Sequence, residues 1–490
     1  MNKNFSVPKE VSRVTEALEK AGFEAFLVGG CVRDLILSRE PKDWDVTTNA
    51  VPDEIISLFQ KTFYENDFGT VGVVDEETEN ETLRVIEVTP YRIESDYTDN
   101  RHPDKVTFSQ KLEDDLQRRD FTINALAYSV SKNTITDLYD GQADMKNKVI
   151  RTVGEPAHRF TEDGLRMLRA VRLSAELSFE IDPETEKAIL ENSNLLKNIS
   201  AERVRDEFTR IIMSPEPMRA LLTLKKLNLL RFVASELEES IGVEQNKAHA
   251  YDVWEHLLRS VQCSADKNYP LEIRLSALFH DVSKPESRRW GKEQNTWTFY
   301  GHEVLGARTT KKILTNLKYP TKVIEKVVKM VRWHMFFSDT EQITLSAVRR
   351  MIVNVGRENI WDLMNVRICD RVGTGRPKED PYRLRKYHAM IEEALRDPVS
   401  VGMLKIDGKK IMEVTETQPG PKIGFILHAL LEEVLEDPAK NTSEYLENRS
   451  KELILLDENA LRALGEQGKQ SKEEADEEEI RKIRSEHHVK

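Results

Sequence analysis

The stretch FLVGGCVRDLILSREPKDWDV, residues 26–46, constrains this chain more than any other. A short apolar run, Phe26 to Val28, reads as a buried strand and stops at the glycine pair Gly29-Gly30. Arg33-Asp34 opens a helical turn, and a second strand is expected to carry Asp43 and Asp45 around Trp44. Strand side chains alternate faces, so the two carboxylates point one way, about 7 Å apart at Cβ, and Trp44 and Val46 the other. Like charges that close repel. A divalent cation removes the repulsion, and hard oxygen ligands suit Mg²⁺. The glycine pair lets backbone approach a phosphate closely, with amide N–H groups at a helix start facing the anion. A phosphate cradle followed by Asp-x-Asp is what in-line nucleotidyl transfer with two metals requires. Taken separately, the halves are a glycine turn and an Asx turn at Lys42-Asp43; together, at this spacing, they favour the chemical reading.

Leu83 to Val88, LRVIEV, adds a third carboxylate, Glu87, between Ile86 and Val88. The set resembles the nucleotidyltransferase superfamily. Within it, VGGCVRD followed by DWDV is similar to the class II tRNA nucleotidyltransferases and their bacterial poly(A) polymerase relatives. The resemblance implies Asp43, Asp45 and Glu87 as catalytic residues, two Mg²⁺ ions at Asp43 and Asp45, and Gly29, Gly30 and Arg33 against the triphosphate. RRDFTINA (118–125) and LYDG (138–141) match further motifs of that family, and Thr122 to Ala127 reads as helical. Arg119 could clamp a triphosphate in bidentate fashion, or simply pair with Asp120 and its neighbours; the motif favours the clamp. Pro90 departs from the family pattern, with a local backbone effect expected.

RFTEDGLRMLRAVRL, 159–173, reads as a helix with Thr161 as N-cap. Glu162, Arg166 and Arg169 share one face, while Leu165, Leu168 and Val171 face the core. Such spacing commonly makes a solvated helix laced by Glu–Arg pairs. The sharper reading concerns Asp163 and Arg166. A carboxylate only accepts hydrogen bonds and a guanidinium only donates. Cytosine and adenine present an exocyclic amino donor beside a ring-nitrogen acceptor, and guanine and uracil the reverse. One Asp–Arg pair would accept C and A and reject G and U. The resemblance implies that Glu162, Asp163 and Arg166 form the EDxxR template for nucleotide choice, and that Arg169 and Arg172 contact the nucleotide. In ISAERVRDEFTRII, 199–212, Arg203, Arg205 and Glu207 read as structural. The polar segment RIESDYTDNRHPD, 92–104, has no period, and loops of this length are commonly functional or disordered. It resembles the flexible loop that A-addition requires in the family.

A second constellation follows: His256 in HAYDVWEHLL, His280-Asp281 in LSALFHDVSKP, His302 in YGHEVLGA, His334 in VRWHMFF and Asp370 in ICDRVGTG. A lone histidine on an apolar helix is a core residue, but this ordered series resembles the HD superfamily of metal-dependent phosphohydrolases. Imidazole plus carboxylate suits Mn, Fe, Ni or Zn, with Mg possible. Such domains also persist as RNA-binding scaffolds, so activity must be argued from the site. His249 and His388 read as ordinary surface residues.

The 490 residues allow several domains. The expected fold is an α+β head, a nucleotidyltransferase fold with a mixed sheet, followed by an all-α neck, body and HD-type domain. The boundaries are 1–150 (head), 151–245 (neck), 246–375 (HD-type), 376–465 (RNA-binding body) and 466–490 (charged tail, with the acidic run Glu473–Glu479). No apolar run approaches 18 residues and the N-terminus has no h-region, so no membrane association is expected. Three cysteines without a CxxC pair fit a reducing cytoplasm. The net charge of −12 is a whole-chain sum and does not exclude nucleic acid. The resemblance implies CMP and AMP addition from CTP and ATP to the tRNA 3′ end. The siblings are an A-adding enzyme and a poly(A) polymerase, though the acidic segment before the Glu87 strand disfavours the latter. The different-class alternatives are an HD phosphohydrolase and a non-catalytic RNA-binding protein. Oligomeric state is not legible.

Overall fold

Among the described residues, nine short strands precede residue 140, and those at the centre of the main sheet are apolar on the faces that pack. They are β1 (Ala25–Val28), β2 (Asp45–Thr48), β3 (Thr62–Tyr64), β4 (Val71–Val74), β5 (Val85–Pro90), β6 (Arg92–Ser95), β7 (Lys105–Phe108), β8 (Leu126–Ser129) and β9 (Thr134–Asp137). The protein is described from a computed structural model covering residues 5–64, 69–95, 105–246, 249–292, 295–335, 343–376 and 381–464. It divides into two units, Met1–Val233 and Ala234–Lys490.

In the first unit seven strands form one mixed sheet in the order β3-β4-β5-β2-β1-β8-β9. β2 and β5 are parallel, with Asp45 opposite Glu87; the other pairs are antiparallel. The alternation expected around Glu87 holds: Ile86 and Val88 are buried and Glu87 is exposed. Pro90 ends β5 without breaking the ladder, since Tyr91 N donates to Thr48 O at 2.7 Å. The amphipathic helix Lys9–Lys20 buries Val11, Val14 and Leu18.

Several local expectations are corrected. Asp43 lies in a bend, and β2 begins at Asp45. Thr122–Asn124 is a single 3-10 turn that feeds β8 rather than a helix. The segment 92–104 begins with β6, which pairs antiparallel with β7 in a separate two-stranded sheet; residues 96–104 lie outside the described residues. The arginine-rich segment is two helices, Pro156–Glu162 and Leu165–Leu177. Thr161 therefore falls in the last turn of the first helix, donating to His158 O, and is not an N-cap. The break follows from Asp163 (φ −146°, ψ 106°), an extended residue ahead of Gly164.

The second unit is helical apart from a hairpin, Arg289–Gly291 with Thr296–Thr298. One apolar cluster runs through it from Ile273 to Leu461, so residues 345–464 pack on the helices that precede them. The turn at Pro419-Gly420-Pro421 starts the helix Pro421–Glu436. The acidic tail, 466–490, lies outside the described residues.

Candidate functional site

The site in the first unit is built around Gly29, whose φ of 80° and ψ of −136° are open essentially to glycine alone. A Cβ there would stand 3.0 Å from Arg119 Nη1 and 3.5 Å from Asp45 Oδ2. The bend thus lies between a guanidinium and a carboxylate, with Gly30 starting the helix Gly30–Ile36. Trp44 and Val46 are buried, while Asp43 is exposed and Asp45 half-buried on the other side. Glu87 stands beside Asp45 in the parallel β2–β5 register and shares its face. Asp45 and Glu87 therefore share one sheet face, with Asp43 exposed in the bend that leads into β2, and the three sets of carboxylate oxygens do not all converge to within 4.8 Å of one another. Burial raises the Asp45 pKa, the charge of Arg119 opposes that rise, and the charge of Asp43 adds to it. An electrostatic demand for a cation is built in, and oxygen donors of this kind fit Mg²⁺.

Arg119 is held by Asp115 at 3.0 Å, and its buried Nε has no hydrogen-bond partner. Asp115 also receives Arg118 at 2.6 Å. Burial raises its carboxyl, but the two guanidinium groups more than offset this and bring it to about 2. Arg33 donates from Nη1 to Asn124 Oδ1 at 2.8 Å, and Asn124 donates to Asp120 at 3.1 Å. Asp120 accepts from Arg169 Nη2 at 2.6 Å, which holds that carboxyl well below its usual range against the effect of burial. Arg33, Arg119 and Arg169 are thereby joined through the 115–124 segment. Cys31 donates to Val28 O at 3.2 Å; burial, then the Asp45 charge, push its thiol up to about 12, so it is inert structure.

Other expected members stand differently. The side chains of Asp163 and Arg166 have separate partners, although Arg166 N donates to Asp163 O at 3.1 Å. Asp163 takes a bidentate grip from Arg203 (3.2 and 2.7 Å) and caps Leu165 N at 3.0 Å. Arg166 bonds to Glu162 and to the backbone oxygens of Arg159 (3.1 Å) and Arg118 (3.3 Å). Arg172 is buried between Glu207 (2.6 Å) and Glu176 (2.9 Å), away from any open surface. Arg203, read from sequence as structural, is thus the residue that aims Asp163. Nothing in its local sequence signals a partner 40 residues away.

In the second unit the expected histidines and aspartates converge and are all buried. Two overlapping groups share Asp281: His256, His280, Asp281 and Asp370, and Asp281, His302 and His334. In three of the rings Nδ1 faces a backbone oxygen: His280 to Ala277 (2.9 Å), His302 to Phe299 (2.5 Å) and His334 to Val331 (2.6 Å). That contact fixes the tautomer and leaves the Nε2 lone pair for a metal. His302 Nε2 and His334 Nε2 then face each other at 3.2 Å. Two opposed lone pairs repel unless a cation lies between them, so the donor set fits a divalent metal of the imidazole–carboxylate class. Burial pulls His280 down, but Asp281 and Asp370 more than offset it and lift the ring to about 10. Without a metal, a proton must supply the positive charge. Burial lowers His334 to about 4.

Lys284 Nζ stands 2.6 Å from Asp281 Oδ2, and Arg367 pairs with Asp370. Lys284 was missed in the sequence; its place three residues after Asp281 was the available signal. His249 and His388 are half-buried rather than fully exposed. Burial, then the charge of Lys284, push His249 down to about 3, and its ring stacks edge-on to His256. His388 packs against Trp361 with a buried, unpartnered Nε2.

Comparison with known proteins bears directly on this arrangement. Residues 25–151 match the Poly A polymerase head domain, 178–241 the RNA and SrmB-binding site of polymerase A, and 288–449 tRNA nucleotidyltransferase domain 2. A CCA-adding enzyme of Lactobacillus helveticus is 31% identical over 446 residues, spanning 90% of this chain and 96% of that protein. The chain belongs to the CCA-adding enzyme family. As a member it is a tRNA nucleotidyltransferase. A CCA-adding enzyme of Lactobacillus gasseri is 48% identical over 208 residues, 42% of this chain and 50% of its own length. The crystal structure of the Bacillus stearothermophilus CCA-adding enzyme in complex with CTP superposes with a TM-score of 0.70 at 27% identity, covering 91% of this chain and 98% of that one. Among the described residues no helix is long and apolar enough to cross a membrane.

Proposed function

We propose that this protein completes and repairs the tRNA 3′ end, adding CMP and AMP from CTP and ATP without a nucleic-acid template, at the carboxylate face of its first unit. The observation that carries this reading is the Asp45–Glu87 register beside a glycine bend that Arg119 closes. Asp43 and Asp45, with Glu87 assisting, would hold two Mg²⁺ ions, whose chemistry is to acidify the attacking hydroxyl and neutralise the phosphates. The Gly29 bend lets the triphosphate approach the backbone, and Arg119 and Arg33 grip it by charge-assisted hydrogen bonds. The RNA 3′-oxygen forms a bond to the α-phosphorus, the bond to pyrophosphate breaks in line, and the hydroxyl proton leaves to solvent.

Asp163 accepts from the amino group of cytosine or adenine, and Arg166 donates to the neighbouring ring nitrogen. Guanine and uracil would leave both groups unsatisfied. Arg203 and Glu162 hold these two side chains in position, Arg169 braces the nucleotide pocket through Asp120, and Arg172 acts as scaffold. The acceptor stem is read by shape and backbone, as A-form helices require. A cytoplasmic setting agrees with three buried cysteines, none of them in a disulfide.

The test is incubation with tRNA ending at the discriminator base, at C and at CC, with each labelled nucleotide in turn. CMP, CMP and AMP enter in that order. UMP or GMP entry at the CMP rate would overturn the base-selection account, and AMP uptake on the CC-ended substrate alone would demote the protein to an A-adding enzyme.

The buried cluster favours a second, coexisting reading: an HD-type centre for divalent metal, sharing Asp281 between two positions and acting on a phosphate ester. His280→Ala would abolish that activity and leave nucleotide addition intact, whereas Asp43→Ala would do the reverse.

A further inference from the structure

Asn124 is buried at the end of the 3-10 turn Thr122–Asn124, between two groups of fixed and opposite hydrogen-bonding character. Its Oδ1 accepts from Arg33 Nη1 at 2.8 Å. Its Nδ2 donates to Asp120 Oδ1 at 3.1 Å. The neighbours dictate which end of the amide faces which: a guanidinium only donates, and a carboxylate only accepts. Turned over, the amide would set N–H against N–H and oxygen against oxygen. A leucine in its place offers neither bond, and an aspartate sets a second acceptor against Asp120.

Asp120 is itself immobilised. Its Oδ1 also accepts from Phe121 N at 2.8 Å, and its Oδ2 accepts from Arg169 Nε and Nη2 at 2.8 and 2.6 Å. Arg169 belongs to the helix Leu165–Leu177, so the amide is anchored to that helix through one carboxylate. At the other end, Arg33 Nε donates to Asp34 Oδ1 at 2.9 Å, and Nη2 stands 2.8 Å from the same oxygen. Asp34 is the next residue of the same short helix, so it fixes the guanidinium only relative to its own backbone. Asn124, 91 residues away, is the partner that fixes it relative to the rest of the unit. Arg33 Nη2 lies 3.6 Å from where a Cβ on Gly30 would stand, which places the guanidinium against the glycine bend.

We infer that Asn124 is a positioning residue for nucleotide addition: its amide joins the donor-only Arg33 to the acceptor-only Asp120 and locks the Arg33 guanidinium against the Gly29-Gly30 bend. It acts through Arg33. The inference rests on the reading of Arg33 as a grip on the triphosphate, and a double-mutant cycle separates the failure of one from the failure of the other.

The experiment uses the full chain with Mg²⁺ and no tRNA, so that CTP binds without being transferred. Calorimetry with CTP and with CMP is combined with thermal melting. Asn124→Ala should weaken CTP about tenfold, the effect of losing one hydrogen bond to a charged group. CMP, which lacks the β- and γ-phosphates, should weaken less than about twofold, as expected of a residue whose effect passes through a triphosphate grip. Asn124→Ser gives the same pattern in a chain whose buried carboxylate stays satisfied, because the hydroxyl still donates to Asp120 but is too short to serve Arg33 as well. In the Arg33→Ala chain, which itself weakens CTP, adding Asn124→Ala should cost less than about a further twofold. Equal weakening of CTP and CMP in step with a fall in Tm makes Asn124 a structural residue only and overturns the inference. Unchanged CTP affinity in both Asn124 variants overturns it too, as does a full tenfold loss on top of Arg33→Ala. Should Arg33→Ala alone leave CTP affinity unchanged, the triphosphate reading of Arg33 fails and the role of Asn124 falls with it.

Discussion

The two carboxylate-bearing regions of this protein solve opposite problems. In the first unit Asp45 and Glu87 share a sheet face, Asp43 stands exposed in the bend before it, and Arg119 is the cation whose charge acts on Asp45. In the second unit Asp281 and Asp370 are buried among four imidazoles, three of them with their tautomers fixed by backbone oxygens. An open, underfilled set would need its substrate's phosphates to complete a metal's coordination, so an ion there would be expected to come and go with the nucleotide. A closed set with nitrogen donors would complete most of a metal's coordination from the protein and would be expected to keep that metal between turnovers. The difference lies in burial and donor type, not in the number of acids.

Four predictions bear on that contrast. Asp45→Ala should lower CMP incorporation by about 10³-fold or more, because ligand loss removes several kcal/mol of transition-state stabilisation. Metal held by the second unit should be unchanged by elemental analysis, and equal loss of both would break the comparison. Arg203→Ala should release Asp163 and raise UMP and GMP misincorporation by about 10- to 100-fold, read as ratios of kcat/KM, the factor expected when hydrogen-bonding groups that discriminate between bases lose their alignment. Gly29→Ala forces a left-handed residue against Arg119 and should cost about 1–3 kcal/mol of stability, seen as a lowered Tm, with CTP binding weakened about tenfold.

The smallest effect concerns pH. Asp115 is held at about 2 against an ordinary carboxylate value of 3.8. Its folded-state pKa is depressed, so the stability it contributes is fully present above pH 4 and is lost as pH falls towards 2. The shift corresponds to about 2 kcal/mol. Denaturant midpoints of the wild type and Asp115→Asn should therefore converge as pH falls from 5 to 2; a gap that stays constant would contradict the assigned role of Arg118 and Arg119.

What the sequence made legible follows from the range of each interaction. The Gly29 bend and Glu87 between Ile86 and Val88 are written in neighbours and the structure keeps both, whereas the strand expected from Asp43 starts only at Asp45. The parallel pairing that sets Glu87 beside Asp45 joins residues 42 apart, and no local period encodes it. The same holds for Asp163 and Arg203: hydrogen-bonding chemistry and the EDxxR resemblance set Asp163 and Arg166 to one task, but neither discloses Arg203, and the helical spacing of Glu162, Arg166 and Arg169 is broken where the extended Asp163 ends one helix before the next begins. The histidines were legible from their apolar flanks. Their tautomers were not, because each is set by a carbonyl three residues earlier, which any helix end offers. His249 looked exposed because its own segment is polar; the burial comes from elements distant in sequence.

The most direct test of the central claim is a crystal structure with CTP and Mn²⁺, read by anomalous scattering. Density between the Asp43 and Asp45 carboxylates, with the triphosphate along the Gly29 bend against Arg119, is the predicted result. A triphosphate bound elsewhere, with no metal at those two aspartates, would contradict the account.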